Sequence, residues 1–417
     1  MRIGYACLAI AVPGSELKSC TLKNAKKERL LALIEHNLDS LETLIDYNER
    51  NGIRLFRISS DLIPFGSSLS TELCWREMFS EKLSAIGQKI LRSGMRVSMH
   101  PAQYTVLNSP DALVVQRAVE DLQYHAGVLD SLGLGSEHKI ILHMGGAYGD
   151  KRQAGSRFIV RYQELCPAIK RRLVLENDDR MYNIEDVLAT ASAAGIPVVY
   201  DSLHHSVNPA DKAMDDAYWI KLCSETWRKE DGPQKVHYAQ QHPGKKPGAH
   251  AETIRIDPFL EFWRQLSGMN LDIMLEVKDK NLSALKCINC VSERGIIALE
   301  AEWSRYQYCV LERSPEQERE IRRLLRDKSN YPALEMYRRI EESFHLPVSS
   351  EHGGNAAKHV WGYFEDKATE AEKRRFQALL RKFSAGETGI LPVKSQLRRL
   401  AEHYQEDCLL NGYYFYQ

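Results

Sequence analysis

Eight short segments rich in β-branched and aliphatic residues recur along the first 300 residues, and helix-length amphipathic stretches separate most of them. Apolar runs of this length are typical of strands, and eight strand-then-helix units predict an α/β fold, a (β/α)8 TIM barrel. A doubly wound open sheet would show a similar pattern, but no glycine-rich dinucleotide-binding motif follows the first segment to favour it. The predicted strands are Arg2–Ala9, Ile53–Ser59, Arg96–His100, Lys139–Gly145, Leu173–Asp178, Pro197–Asp201, Lys235–Gln240 and Asp272–Val277.

The pattern changes after about residue 300. Glu316–Lys328 is predicted as a highly charged helix, and Tyr331–Phe344 follows it. A break is expected at Pro347–Asn355, where proline, serine, glycine and histidine cluster. Residues 356–417 again show helical periodicity. We therefore predict two domains: a TIM barrel at residues 1–300 and a helical C-terminal extension at residues 301–417, to which the sequence assigns no function.

Charge and composition exclude several function classes. Lysine plus arginine and aspartate plus glutamate each number 56, so any polyanion binding must come from local patches. No apolar run approaches the ~20 residues of a transmembrane helix, and no signal peptide is expected. Nine scattered cysteines suit free thiols in a reducing cytosol. We therefore expect a cytoplasmic protein without a membrane partner.

Six of the predicted strands carry a histidine, aspartate or glutamate at or near the carboxyl end. In a parallel barrel these ends meet on one face, where barrel enzymes keep their active sites. Buried imidazoles and carboxylates are costly unless they are paired or bind a metal. Their mixed nitrogen and oxygen donors suit Zn²⁺ or Mn²⁺. The six residues are His100, His143, Glu176, Asp201, His237 and Glu276.

Further donors follow the sixth and seventh strands. His204 lies just after Asp201, and His250 lies in the segment after the seventh strand. Lys235 precedes His237 by two residues, so both side chains point to the same side of the sheet. This donor set exceeds what one ion uses, which predicts two or three divalent ions per chain. Clustered divalent ions favour phosphodiester hydrolysis as the reaction. Four other histidines are interpreted as surface or hydrogen-bonded residues: His125, His138, His205 and His242.

The same residues resemble the UV damage endonuclease family (UvsE/UVDE), whose fold is an endonuclease IV-like TIM barrel. The resemblance spans roughly residues 1–300 and depends on several separated motifs. The C-terminal part, from His359 to Tyr413, resembles an uncharacterised helical domain of the YbgA type. The barrel motifs are Gly4-Tyr5, Arg57-Ile-Ser-Ser-Asp61-Leu-Ile-Pro64-Phe-Gly, Met99-His-Pro-Ala-Gln-Tyr104, Leu142-His-Met-Gly-Gly146, Leu175-Glu-Asn-Asp178, Asp201-Ser-Leu-His-His205, Lys235-Val-His237 and Leu275-Glu-Val-Lys278.

The resemblance implies a DNA repair endonuclease that nicks the backbone immediately 5′ to UV photoproducts, namely cyclobutane pyrimidine dimers and 6-4 photoproducts. It implies a cluster of up to three divalent ions, commonly Mn²⁺, with Zn²⁺ or Mg²⁺ as alternatives. By the same carry-over, one ion would be held by His100, His143 and Glu176. A second would be held by Glu176, Asp201, His237 and Glu276, and a third by His204 with His250.

The resemblance also assigns catalytic and lesion-binding roles. Glu176, Lys235 and Glu276 are the predicted catalytic residues, and Lys235 matches a lysine that can be carboxylated in this family. Gln103 and Tyr104 match a pair thought to wedge into the duplex at the lesion, with Tyr5 beside them. A ring can replace lost base stacking, and an amide can reach base edges. The expected partner is double-stranded DNA containing UV lesions, bound by a monomer.

Phosphate contacts must be local in a chain of zero net charge. Lys245, Lys246 and Lys278 follow strands, which places them on the catalytic face and predicts contact with the DNA backbone. The run Lys170–Arg172 precedes the fifth strand, so it lies on the opposite face and is expected to be solvated surface.

Three other functions compete with this hypothesis. An apurinic-site endonuclease of the endonuclease IV type would use the same metals on a different lesion. A xylose-isomerase-like sugar isomerase or epimerase would need only Glu176, Asp201, His237 and Glu276, which would leave the other histidines unused. A catalytically silent, metal-stabilised DNA-binding scaffold is the third alternative.

Overall fold

A closed barrel of eight parallel strands forms the first part of the chain. The computed structural model describes residues 1–417. Each strand pairs with its neighbour in sequence, and the last pairs with the first, so the predicted TIM barrel is confirmed. All eight predicted strands are present, with ends that differ by a few residues. They are β1 (Ile3–Ala6), β2 (Leu55–Arg57), β3 (Arg96–Met99), β4 (Lys139–His143), β5 (Leu173–Glu176), β6 (Val198–Asp201), β7 (Gln234–Tyr238) and β8 (Leu271–Leu275).

Helices follow every strand of the barrel. Most strand residues are buried on both faces, which explains why the strand sequences read as continuous apolar runs and not as alternating ones. Short 3₁₀ segments occur at Leu22–Asn24, Ser60–Leu62, Leu69–Leu73 and Lys229–Asp231. The α-helices are α1 (Lys27–Arg50), α2 (Trp75–Met78), α3 (Ser80–Arg92), α4 (Ala112–Ser131), α5 (Lys151–Glu164), α6 (Pro167–Lys170), α7 (Ile184–Ala194), α8 (Ser202–Val207), α9 (Asp216–Ser224), α10 (Ile256–Gln265) and α11 (Asn281–Val291).

The strand register brings polar residues to the same level at the carboxyl end of the barrel. His143 of β4 is the register partner of Glu176 of β5, and Asp201 of β6 is the register partner of His237 of β7. Side chains at the same level of adjacent parallel strands lie close together. The hydrogen bonding of the sheet therefore places these four side chains at one end of the barrel.

At the opposite end, Arg96 joins distant parts of the barrel. Its buried guanidinium donates to the carbonyl oxygens of Glu137, Asp231 and Pro233, at 2.8, 2.8 and 2.6 Å. It also pairs with Asp272 at the start of β8, at 3.0 Å. One cation at the beginning of β3 thus satisfies three backbone oxygens and one buried carboxylate.

The expectation that Lys170–Arg172 is solvated surface is wrong for Arg172. Its side chain is 1 % exposed and pairs with Asp130 at 2.7 Å. It also donates to the backbone carbonyls of Leu134 and Gly135. Arg172 is buried because the turn after α4 leaves carbonyl oxygens that need donors.

Because of His138, we expect the free energy of unfolding to decrease at acidic pH. It is buried, and its Nδ1 accepts a hydrogen bond from the backbone N–H of Val97 at 3.0 Å. Burial, opposed by Glu137 and assisted by Arg96, lowers the pKa of His138 from 6.5 to about 4. The unfolded chain therefore binds an extra proton between these values, so this stability is complete above pH 6.5 and is lost as pH falls towards 4.

We expect about 2 kcal/mol of the unfolding free energy to be lost through His138 between roughly pH 7 and pH 5. Denaturant titrations of wild type and His138→Asn across this range would measure it. Asparagine keeps an acceptor for Val97 but cannot be protonated, so the variant should lose correspondingly less stability. Equal losses in the two proteins would contradict the role of His138.

Residues Lys286–Gln417 form a second compact unit, together with the short segments Ile10–Pro13 and Arg255–Asp257. Its interior is formed by buried apolar residues of several helices, including Leu299, Ile321, Met336 and Leu397. None of the helices of this chain is long and apolar enough to cross a membrane. The helices after α11 are α12 (Ile296–Leu311), α13 (Pro315–Arg326), α14 (Ala333–Phe344), α15 (Ser350–Trp361), α16 (Glu370–Ser384), α17 (Leu391–His403) and α18 (Asp407–Leu410).

The predicted break at Pro347–Asn355 is wrong in its second half, because α15 begins at Ser350. The side chain of Ser349 caps this helix by accepting a hydrogen bond from the N–H of His352. Gly353 and Gly354 lie inside the helix, and a Cβ on Gly353 would approach Val348 to 2.7 Å and Phe383 to 3.0 Å. Glycine at this position permits close packing between helices. Because glycine has a low helix propensity, the sequence alone predicts a break here and not a helix.

Candidate metal centre

Glu176 lies at the centre of the polar residues at the carboxyl end of the barrel. It is buried, and its two carboxylate oxygens face different histidines. Oε2 lies 3.0 Å from Nε2 of His100 and 3.6 Å from Nε2 of His143, whereas Oε1 lies 2.6 Å from Nδ1 of His237. Burial alone would raise the pKa of Glu176, but the imidazoles of His237, His143 and His100 hold it well below its usual value. Glu176 is therefore an anion that faces donors on two sides.

Asp201 and His204 lie on one flank of this carboxylate. Oδ1 of Asp201 caps α8 by accepting a hydrogen bond from the N–H of His204, and Asp201 is fully buried. Asn177 positions both residues: its side chain bonds the backbone of Asp201 in both directions, and its carbonyl oxygen lies 2.9 Å from Nδ1 of His204. Burial raises the pKa of Asp201, so its ionised form needs a nearby cation.

Glu276 and His237 lie on the other flank. Oε1 of Glu276 is 3.4 Å from Nδ1 of His237, and its Oε2 is 3.6 Å from Nε2 of His250. The guanidinium of Arg57, at the end of β2, forms a close ion pair with Glu276. Burial would raise the pKa of Glu276, but Arg57 and His237 lower it.

Three sets of donor atoms lie close enough together to hold divalent ions. Each set has its atoms within 4.8 Å of one another, and Glu176 belongs to all three. His250 is in none of these sets, and His204 joins Asp201. The sets are His100 with His143 and Glu176, Glu176 with Asp201 and His204, and Glu176 with His237 and Glu276.

Three residues of these sets each have a buried polar atom without a hydrogen-bond partner. The atoms are Oδ2 of Asp201, Nε2 of His237 and Nδ1 of His143. Orphaned polar atoms in an interior are costly unless something else satisfies them. Their nitrogen and oxygen chemistry is that of a divalent transition-metal site. The residues present therefore fit a metal cluster.

Lys235 is a buried lysine whose amine has no hydrogen-bond partner. It is 0 % exposed. Burial, together with the positive charge of Arg96, lowers the pKa of Lys235 well below its usual value. Lys235 thus lies on β7 two residues from His237 with its amine unpaired.

The loop after β3 presents Gln103 and Tyr104 to solvent, and Tyr104 is 72 % exposed. Its base is held by buried contacts: the Thr105 hydroxyl donates to Asp121 at 2.6 Å. The Ser60 hydroxyl donates to the carbonyl of His100 at 2.9 Å. Two exposed side chains thus lie on a turn whose base is held by these two hydrogen bonds.

Tyr5 differs from the prediction that places it beside them. It is 0 % exposed, its ring packs edge-on against Phe56 at 5.2 Å, and its hydroxyl donates to Asn48 at 2.9 Å. Tyr5 is thus buried between the barrel and helix α1, which carries Asn48, and it presents no surface to DNA. The structure therefore gives Tyr5 a packing role in place of a lesion contact.

Sequence reasoning missed Arg57 and Asn177. Arg57 ends a strand as the metal-binding candidates do, but a search restricted to histidines and carboxylates passes over a cation. Asn177 directly follows Glu176, and its position after a strand is the same signal. His125, interpreted as hydrogen-bonded, is buried, with its Nε2 2.9 Å from Ser60 Oγ.

Known proteins are similar to about 70 % of this chain. The UV DNA damage endonuclease of Clostridium perfringens is 43 % identical over 298 residues, covering 70 % of this chain and 71 % of that protein. That of Bacillus cereus strain Q1 is 32 % identical over 308 residues, covering 71 % of this chain and 96 % of that protein. The crystal structure of SacUVDE aligns with a TM-score of 0.66 at 37 % identity, covering 70 % of this chain and 98 % of that one.

Two family models divide the chain between them. Residues 307–417 match a family described as a protein of unknown function, DUF1722, which agrees with the expected uncharacterised C-terminal domain. Residues 1–301, which contain the barrel and all the donors described above, match the model described as UV-endonuclease UvdE. This chain belongs to the UV-endonuclease UvdE family.

Proposed function

We propose that this chain is a metal-dependent DNA repair endonuclease that nicks duplex DNA immediately 5′ to UV photoproducts. The observation that carries the proposal is Glu176, a buried carboxylate shared by three donor sets, in a barrel of the UV-endonuclease family. An apurinic-site endonuclease and a sugar isomerase or epimerase are not favoured, because the relatives reported above are UV DNA damage endonucleases.

We base the proposed metal ligands on the three donor sets. His100, His143 and Glu176 would hold one ion, and Glu176 with His237 and Glu276 would hold another. Glu176 with Asp201 and His204 would hold a third, and His250 would contribute beside Glu276. Bound divalent ions, Mn²⁺ in our proposal, would supply charge stabilisation for the attacking and leaving oxygens of a phosphodiester.

Other residues of the chain keep this donor set in place. Arg57 holds Glu276, and Asn177 holds the backbone of Asp201 and the ring of His204. Partners of this kind fix the orientation of ligating side chains. Replacing one of them commonly lowers metal affinity or activity by roughly 10- to 100-fold. After carboxylation, Lys235 would act as an additional carboxylate. An unprotonated amine adds to carbon dioxide to form a carbamate and releases one proton, and Nζ of Lys235 has no hydrogen-bond partner that would compete with this reaction.

Gln103 and Tyr104 would probe the lesion. Both are exposed on a loop that starts at the metal-binding candidate His100, so an inserted ring would be held near the site of incision. The charge-neutral chain needs local cations for the backbone, and the exposed Lys246 and Lys278 on the loops after β7 and β8 suit that purpose. Lys245 is engaged by Glu252 at 3.0 Å.

The proposed activity is tested on supercoiled plasmid. We expect nicking of UV-irradiated plasmid with Mn²⁺, little nicking of undamaged plasmid, and none of either after chelation. Plasmid containing abasic sites supplies the comparison that separates a UV endonuclease from an apurinic-site enzyme. If irradiated DNA is not cut preferentially with metal present, the proposed function is wrong.

The double variant Gln103→Ala/Tyr104→Ala is expected to weaken binding to a UV-damaged duplex by about tenfold or more, because base–aromatic stacking alone is worth ~1–3 kcal/mol. Affinity for undamaged duplex should change little, and metal content should stay at the wild-type level. Fluorescence anisotropy and elemental analysis measure the two quantities. The conservative variant Tyr104→Phe is the matched control, since it keeps the ring. Loss of metal in the double variant would contradict the assignment.

A further inference from the structure

One face of α16 carries four exposed cations: Arg374, Arg375, Arg381 and Lys382. At 3.6 residues per turn they fall within a sector of roughly 120° centred on Ala378. Phe376 and Phe383 are buried on the opposite side, where Phe376 stacks on Trp361 with ring centroids 4.3 Å apart. The helix thus packs through its aromatic side and presents the four cations, which form its cationic face, to solvent.

The cations of this face have no anionic partner. The two acidic residues of α16 lie in its first turn and are already engaged: Glu370 pairs with Lys373, and Glu372 forms the capping box with Thr369. Residues 374–384 contain no acidic side chain. The charged groups of these four side chains form no ion pair and no hydrogen bond in the structure.

Helix α13 provides the contrast. It also places four arginines on one side, Arg319, Arg322, Arg323 and Arg326, but it carries glutamates next to them in the sequence. Arg322 pairs with Glu318, and Arg323 pairs with Glu320 at 2.9 Å. The arginines of α13 are therefore partly neutralised by their own helix, whereas the cationic face of α16 retains its full charge.

The spacing of the cationic face suits a phosphate backbone. Arg374 and Arg381 are separated by seven residues, as are Arg375 and Lys382, which is ~10 Å along the helix. The cationic face thus carries four positive charges over ~10 Å of helix length. This high charge density is complementary to that of duplex DNA, which carries one negative charge per ~1.7 Å of axis. Guanidinium groups can bind phosphate with two parallel hydrogen bonds. In a chain with 56 cations and 56 anions, such a local cluster is what would attract a polyanion.

We propose that the cationic face of α16 binds the phosphate backbone of duplex DNA without regard to sequence or damage. DNA is chosen as the polyanion because residues 1–301 belong to a family of DNA endonucleases. The C-terminal domain would then supply DNA affinity to a nuclease whose net charge is zero. This binding does not depend on incision and can be measured without it.

The test is the quadruple variant Arg374→Ala/Arg375→Ala/Arg381→Ala/Lys382→Ala in the full-length chain. Affinity for an undamaged duplex is measured by fluorescence anisotropy in chelator at several salt concentrations. We expect at least tenfold weaker binding at about 50 mM salt, and a slope of log K against log salt that falls by about 2–4, since each phosphate contact contributes ~0.9. The matched control replaces Arg319, Arg322, Arg323 and Arg326 by alanine, with the same change in net charge, and its slope should stay near wild type.

The outcomes separate the possibilities. Equal losses in both quadruple variants would show a net-charge effect, and an unchanged slope in the α16 variant would show a solvated helix face; either overturns the proposal. Preferential loss of binding to phosphatidylserine vesicles, with DNA binding intact, would make the partner a lipid surface and overturn it too. Circular dichroism checks folding, and the smaller variant Arg375→Gln/Lys382→Gln should show about half the change in slope.

Failure of the proposed endonuclease function is a separate result. Absence of UV-dependent nicking by the wild-type chain would leave the DNA binding by α16 intact. Conversely, the α16 variant should still nick irradiated plasmid at low salt, because its substitutions lie outside the donor sets of the barrel.

Discussion

Replacing Glu176 by alanine is expected to remove most of the bound metal and to lower the rate of UV-dependent nicking by more than the ~10- to 100-fold that is lost when a residue supporting a metal site is replaced. The reason is that Glu176 alone belongs to all three donor sets, so one substitution takes a ligand from each. It also leaves His100, His143 and His237 without the carboxylate that faces them. Single-turnover nicking and elemental analysis per chain measure the two effects.

Two further variants make this prediction specific. Glu225→Ala removes an exposed carboxylate at the end of α9 and should leave both metal content and nicking unchanged. Glu176→Gln keeps the shape but not the charge, and should retain the fold while losing metal. A Glu176→Ala protein that keeps its metals and most of its activity would rule out the shared-ligand arrangement.

Replacing Lys235 by methionine is expected to have opposite effects on activity and stability. The variant should lose about 10- to 100-fold in nicking, the usual contribution of residues that support a metal site. Its free energy of unfolding should be ~1–3 kcal/mol higher than that of the wild type, so the variant is more stable. The reason is that a fully buried amine without a partner is replaced by an apolar chain of similar length. Chemical denaturation and single-turnover nicking give the two numbers.

Carboxylation is the step that this variant isolates. Wild-type protein incubated with ¹³C-labelled bicarbonate should show a carbamate resonance that Lys235→Met lacks. The exposed Lys229→Met is the matched control and should retain the resonance. Wild-type activity with no carbamate signal would mean that Lys235 acts as an uncharged amine, and unchanged nicking by Lys235→Met would remove it from the site altogether.

The sequence predicted the barrel and its functional end because both follow from local periodicity. The apolar segments before His143 and Glu176 are short and bounded, and a closed parallel sheet then brings their ends together without further information. The same logic predicted the donors but not their grouping: His204 joins Asp201, while His250 lies beside Glu276. Grouping depends on loop conformation and rotamers, which carry no periodic signal.

Two predictions, for Tyr5 and Arg172, were wrong because these polar side chains are buried. Tyr5 and Arg172 are polar residues that lie inside because a specific partner satisfies each of them, Asn48 for one and Asp130 for the other. Such partners are 43 and 42 residues away, so no local pattern reveals them. The missed start of α15 has a different origin, since Gly353 lowers local helix propensity while the packing of Phe383 against it restores the helix.

Arg96 has a consequence for how this barrel folds and unfolds. Its ion pair with Asp272 spans 176 residues, and its bonds to the carbonyls of Asp231 and Pro233 span 135 and 137. Contacts between such distant parts of a chain carry a large loop-closure cost and tend to form late in folding. Weakening them would mainly raise the unfolding rate and leave the folding rate nearly constant. Arg96 therefore governs how long the native barrel persists more than how quickly it is reached.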